Sequence, residues 1–275
     1  PLQSERLCRY QFATRSCRTA KGKWRVLAMI SDGDLERYSR QILLPEIDLH
    51  GQQRIDQATV TVVGCGGLGS MVALMLAGAG VGRLILIDDD VVEVSNLHRQ
   101  LAFRESDLGV EKVVALRDQL LGLNSSIEIH ATPARFGDNA SQDALTTREA
   151  DIVVDATDSL TARHAIERIT RAESTPWIMG AATRLHGQLA AFSGDRREGC
   201  YLCMAPSSDD ASGFDCRNEG ILGPVVTVVA AWQAQHALLF LAGHDLEWGQ
   251  LNVYDAVRYR IDHLQVASPG GCHHS

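Results

Sequence analysis

The stretch VVGCGGLGSMVALMLAGAGVGRLILIDDD, residues 62–90, decides the fold. An apolar run from Thr59 to Val63 has strand length and leads into Gly64-x-Gly66-x-x-Gly69. An apolar helix is expected over Gly67–Ala79, and GRLILIDDD then reads as a second strand ending in acid. Glycines allow the tight turn and let the backbone approach phosphate, while the helix N-terminus behind them favours anions. Gly64, Gly66, Gly67 and Gly69 are therefore candidates for a nucleotide loop. Asp88 lies where an acid accepts ribose hydroxyl protons. In isolation this unit means a bound nucleotide and leaves NAD and ATP both open.

The next residues weigh on that choice. SNLHRQ supplies Asn96, Arg99 and Gln100, and GVEK supplies Lys112. A hydride-transfer enzyme neutralises a diphosphate mainly with backbone amides. An added Arg and Lys suit a triphosphate and its departing pyrophosphate. The alternative for either cation alone is a solvated helix face. Asp158, in VVDATDS, falls past the carboxyl end of a strand, where the ligands of open parallel sheets bind. Its carboxylate suits Mg²⁺ between phosphate oxygens, or else it N-caps the helix that follows.

Further along, GVEKVVALRDQLLGLN and TARHAIERITRA have helical spacing, while SIEIHATP and ADIVVDATDS read as strands. An N-cap at Ser31 or Asp32 should open an amphipathic helix in SDGDLERYSRQILL. TPWIMGAATRLHGQLAAFS predicts strand, turn, strand. QLNVYD and RYRIDHLQVA predict an antiparallel pair. The expected fold is α/β: a Rossmann-like, doubly wound, mainly parallel sheet with an antiparallel C-terminal extension.

Charge separates the first 28 residues from the rest. They hold seven basic groups against one acid, whereas the remainder has nineteen basic and thirty-three acidic residues. The expectation is that 1–28 is a basic leader upstream of the fold, an organellar targeting segment being the alternative, and that 29–275 is one domain. The acidic body argues against nucleic acid as a partner. The apolar run Gly223–Ala242 contains Gln233, Gln235 and His236, which suits a buried helix better than a membrane span. Seven cysteines with one CxxC, Cys200–Cys203, suit a reducing compartment, the cytoplasm, and a metal site rather than a disulfide framework.

RYSRQILL, GCGGLG, LIDDDVVEVSNLHRQ, GVEK, ATDS, GAATRLHGQ, CYLC and CRNEGILGPVV occur in an order that resembles the MoeB/ThiF/HesA adenylyltransferases, relatives of the ubiquitin-activating enzymes. The resemblance spans about Asp34 to Cys272. It implies ATP- and Mg²⁺-dependent adenylation of the C-terminal glycine carboxylate of a ubiquitin-like sulfur carrier ending in Gly-Gly. It implies that the four glycines shape the loop, that Asp88 holds ribose, and that Asn96, Arg99, Gln100 and Lys112 contact phosphates. Asp158 would bind Mg²⁺. Arg40 would reach the triphosphate across a homodimer interface. Arg184 would help to place the carrier tail.

The family also implies a structural zinc site of four cysteines. Here Cys200, Cys203 and Cys272 match, but Ser275 stands at the fourth position, so His274 or His273 would have to complete the set, or zinc is absent. Cys216 matches a loop cysteine proposed in some members to bond the carrier covalently; a non-essential loop thiol is the alternative. GAATRLHGQLAAF looks closer to members that serve a MoaD-like carrier in molybdenum cofactor synthesis than to those that serve ThiS in thiamine synthesis. A separate sulfur donor is expected. Two other classes stay open: an NAD-dependent oxidoreductase, on the glycine loop and Asp88, and a non-catalytic nucleotide-binding scaffold, on TDS where TDN is usual and on the altered tail.

Overall fold

The computed structural model describes residues 16–18, 24–26, 30–193, 198–205, 220–266 and 272. At its centre is β1 (Thr59–Val63), whose five residues are all buried, as a strand covered on both faces must be. β1 pairs in parallel with β2 (Arg83–Ile87) on one side and β4 (Ile152–Asp155) on the other. β3 (Glu128–Thr132) extends the sheet beyond β2, and β5 (Trp177–Thr183) extends it beyond β4, both parallel. From β5 the chain turns antiparallel through β6 (His186–Phe192), β7 (Gln250–Asp255) and β8 (Arg260–Gln265). The order β8-β7-β6-β5-β4-β1-β2-β3 matches the mainly parallel sheet with an antiparallel extension that the sequence predicts.

Ser16–Arg18 and Trp24–Val26 pair as a separate two-stranded ribbon. The helix expected from Ser31 divides at Tyr38 into α1 (Asp32–Arg37) and α2 (Ser39–Ile42). Ser31 caps the first by accepting the Asp34 N–H. The break has a packing cause: the Tyr38 ring is buried against Gly80, and its hydroxyl accepts a hydrogen bond from Asn124. Any Cβ at Gly80 would lie 2.4 Å from that ring. α3 (Asp48–Asp56), a polar segment, was not read from the sequence. Neither was α6 (Ala140–Glu149).

Two helices place the candidate site. α4 (Gly67–Gly78) follows β1 directly, and Gly69 lets it lie so close that a Cβ there would stand 1.8 Å from the Gly64 carbonyl oxygen. After the one-turn α8 (Tyr201–Met204), α9 (Gly223–Ala242) has the predicted bounds, with Pro in its first turn and Gly243 in the left-handed conformation at its end. It is long and apolar enough to cross a membrane, yet it packs along α4, β5 and β6 as a core helix. Gln233 explains one polar residue inside that run. Its amide is buried and donates to the Asp155 carbonyl at 2.7 Å, entering where Gly180 leaves room.

Candidate functional site

Strand order reverses between β1 and β4, and a ligand crevice is expected outside the carboxyl ends of such strands. Three loops meet there. The loop after β1 holds Gly64 at φ +86°, a backbone that strains any residue with a side chain, and a Cβ at this position would lie 2.8 Å from the Ala156 oxygen. The loops after β1 and β4 thus form one wall. Gly66 begins α4 without a side-chain cap, which leaves the first N–H groups of the helix open to an anion.

Asp88, past β2, is tied to that loop. Its carboxylate accepts the Cys65 N–H at 2.6 Å and the Asp90 N–H at 2.8 Å. Burial pushes its pKa up, and Lys112 opposes the shift. Each oxygen keeps a lone pair for a ribose hydroxyl. Lys112, the first residue of α5 (Lys112–Leu123), is buried and donates to Asp90 at 2.8 Å. Its charge therefore stands beside the glycine loop, already paired with a carboxylate. Nothing in the sequence marks Asp90 as that partner. Asp88, Asp89 and Asp90 lie close enough together to hold a cation, but Lys112 and Arg135 already pair with Asp90 and Asp89.

Asn96 and Gln100 are buried together, with the Gln100 amide donating to Asn96 at 2.7 Å and lying 3.4 Å from where a Gly66 Cβ would be. Gln100 Oε1 is buried with no partner among the described residues, an acceptor that a ligand or its water shell would satisfy. Arg99 flanks the same loop. Its backbone and Cγ lie about 3.5 Å from a Cβ built on Gly67, while its guanidinium donates to the Ser95 carbonyl and meets the His98 ring.

Asp158 is exposed, and its carboxylate bonds to no described residue. The capping alternative is overturned: Ser159 caps α7 (Leu160–Ala172), its hydroxyl accepting the Ala162 N–H. Asp158 is thereby left available to a ligand. Beneath it lies a network missed from the sequence, in which fully buried Asp155 pairs with Arg163 at 3.2 Å. The one sequence signal was an acid closing an apolar strand.

Arg40 does not join these residues within one chain. Its neighbours Tyr38 and Gln41 pack against Gly80 and the Ala79 carbonyl at the far end of α4. The helix length, about 18 Å for its twelve residues, separates them from Gly66. Arg184 occupies the turn between β5 and β6 at φ +52°, on the carboxyl side, and its backbone pairs with Gly220 and Leu222 just ahead of α9. Cys216 and His274 lie outside the described residues.

The predicted thiol set does converge. The Sγ atoms of Cys200, Cys203 and Cys272 lie within 4.8 Å of one another, with Cys200 at 3.7 Å from Cys203 and 3.2 Å from Cys272. Four sulfurs at about 2.3 Å from zinc would stand about 3.8 Å apart, so the first spacing fits. Burial and the Cys272 hydrogen bond push the Cys200 thiol up to about 12, a protonated state that a bound cation would reverse.

The ThiF family sequence profile matches residues 38–273. The chain is 38% identical over 243 residues to the sulfur carrier protein ThiS adenylyltransferase of Escherichia coli K12, covering 88% of this chain and 96% of that one. It is 34% identical to the molybdopterin-synthase adenylyltransferase of Salmonella typhimurium LT2, covering 90% and 98%. Among solved structures, Escherichia coli MccB with ATP superposes with a TM-score of 0.74 at 26% identity, over 86% of this chain and 74% of that one. Matched across nearly all of its folded residues, the chain belongs to the ThiF family.

Proposed function

We propose that this protein adenylates the C-terminal carboxylate of a ubiquitin-like sulfur carrier, using ATP. The observation that carries the reading is the junction of three loops at the β1/β4 crevice, with a bare helix N-terminus, Lys112 and Arg99 on one side and uncommitted Asp158 on the other. Backbone amides of the glycine loop hold phosphate, Asp88 orients the ribose, and the two cations offset charge on the departing pyrophosphate. The attacking carboxylate is ionised near neutral pH, so no general base is required, and among the described site residues none forms a His–Ser or His–Cys pair. Asp158 would hold Mg²⁺, which when bound neutralises phosphate charge. Cys200, Cys203 and Cys272 would hold a structural Zn²⁺, with His274 as the proposed fourth ligand.

A homodimer completes the site in this reading, with Arg40 entering from the second subunit. Exposed Leu101 and Leu123, together with Arg104, Asp118 and Gln119, line a groove of about 430 Å³ between α4 and α5, a mixed apolar and polar surface that such an interface would cover. The carrier tail would enter past the Arg184 turn. A MoaD-like carrier is proposed, with sulfur supplied by a separate donor. The 38% identity to the ThiS enzyme favours ThiS-like carriers as a second reading.

ATP–pyrophosphate exchange, measured with each candidate carrier, tests the proposal. Exchange that depends on an added Gly-Gly-ending carrier is the expected result. NAD binding without exchange would return the glycine loop to redox chemistry, and ATP binding without exchange for any carrier would leave a scaffold.

A further inference from the structure

Asp158 stands on a short bridge between β4, which ends at Asp155, and α7, which begins at Leu160. Arg163, one turn into α7, grips that bridge from below. Its Nη2 donates to the Thr157 carbonyl at 2.6 Å and to the Gly180 carbonyl at 3.2 Å, and its Nε donates to Asp155 at 3.2 Å. Asp155 in turn accepts the Thr157 N–H at 2.9 Å and the Thr157 hydroxyl at 2.7 Å. Both peptide groups of Thr157, the residue before Asp158, are therefore fixed by one buried ion pair.

Stability alone is a weak reason to keep such a pair. Two desolvated charges often gain no more than well-packed apolar residues of the same volume would. Burial indeed pushes the Asp155 carboxyl upward even with Arg163 beside it. The distinctive product of the arrangement is direction. The guanidinium spans acceptors on β4, the bridge and β5 and also meets the Tyr201 hydroxyl, and the other side of the bridge abuts Gly64. The bridge is held between the ion pair and the nucleotide loop, and Asp158 projects from it.

We infer that Arg163 is a positioning residue that sets the Asp158 carboxylate toward the phosphates through the Thr157 carbonyl. The inference rests on the proposed function for what Asp158 does, and on this chain's hydrogen bonds for how Arg163 acts. Arg163→Met would leave Asp155 buried without its counter-charge and endanger folding. Arg163→Lys is the decisive variant, because one ammonium keeps the charge opposite Asp155 but cannot also span the Thr157 and Gly180 carbonyls.

ATP binding is measured by calorimetry across a Mg²⁺ titration, beside thermal melting and carrier-dependent exchange. Arg163→Lys should keep a melting temperature near that of the wild type. The Mg²⁺ needed for half-maximal ATP binding should rise ~10-fold or more, the scale of losing a ligand's supporting partner. The kcat of exchange should fall while KM for the carrier holds. In an Asp158→Asn background the Mg²⁺ response should already be lost, and adding Arg163→Lys should change nothing more. An unchanged Mg²⁺ requirement in Arg163→Lys, or an added effect in the double variant, overturns the inference. Failure of exchange in a wild type that binds MgATP overturns the function instead, since the binding arm needs no carrier. A wild type that binds no ATP overturns both.

Discussion

In the proposed reaction Asp158 is the residue on which the chemistry turns. It is exposed, Ser159 performs the capping, and no packing depends on its carboxylate. Asp158→Ala should therefore lower exchange by ~100-fold or more, as loss of a group acting on the transferring phosphate does, with thermal stability unchanged. Wild-type exchange in that variant would remove the metal assignment. Ser159→Ala gives the converse: about 1 kcal/mol of lost stability, read from urea unfolding, because a helix loses its cap. These roles differ in how far they were legible. The glycines, Asp88 and Asp158 announce themselves by type and spacing. Arg163 and Gln233 do not, because neither an Arg nor a Gln on a helix shows its partner until the fold brings Asp155 beside both. The partner of Lys112 was hidden for the same reason: Asp90 reads as one more surface acid until the chain returns to it.

Among the elements, α9 was legible to the residue because a long apolar run ending in glycine admits one reading. α3 was not. DLHGQQRID lacks an apolar stripe, and its buried Gln52 is satisfied by Ala79 and Gln41, contacts from outside the segment. α6 likewise mixes Ser, Thr and Gln with little helical period. The packing of α4 against β1 makes a firm prediction. Gly69→Ala would set a methyl group into the Gly64 carbonyl, so destabilisation should reach the upper end of the ~1–3 kcal/mol of an overpacked core, and ATP binding should be lost with the loop. The turn between β7 and β8 predicts an acid response. Arg258 and the backbone hold the Asp255 carboxyl down to about 2 from its ordinary 3.8. A lowered folded-state value means its stabilisation is present above 3.8 and is lost as pH falls through about 2. The gap in urea midpoint between wild type and Asp255→Asn should close across that window. A constant gap would show that the Arg258 contact does not depend on ionisation.

For the whole molecule, the decisive feature is that Arg40 and Asp158 are far apart in one chain, since Arg40's segment packs beyond the distal end of α4. If Arg40 serves a second subunit, then Arg40→Ala and Asp158→Ala, each inactive alone, should regain activity when mixed, because a hybrid dimer holds one intact site. About a quarter of wild-type activity is the ceiling for random exchange of subunits, by the two-fold symmetry of such dimers. No recovery after demonstrated subunit exchange would place Arg40 outside the reaction.

The position of β1 has a consequence for how the protein is made. Its neighbour β4 comes late: the Thr59 N–H finds Asp151, 92 residues downstream. At ribosomal speeds that interval lasts on the order of ten seconds. During it, a strand destined for burial on both faces has β2 on one side and an open edge on the other. The nucleotide loop is equally incomplete then, because the wall opposite Gly64 is supplied by Ala156. A nascent chain halted before β4 should expose an aggregation-prone edge and ignore ATP, while one extended past β5 should acquire both its cover and its affinity.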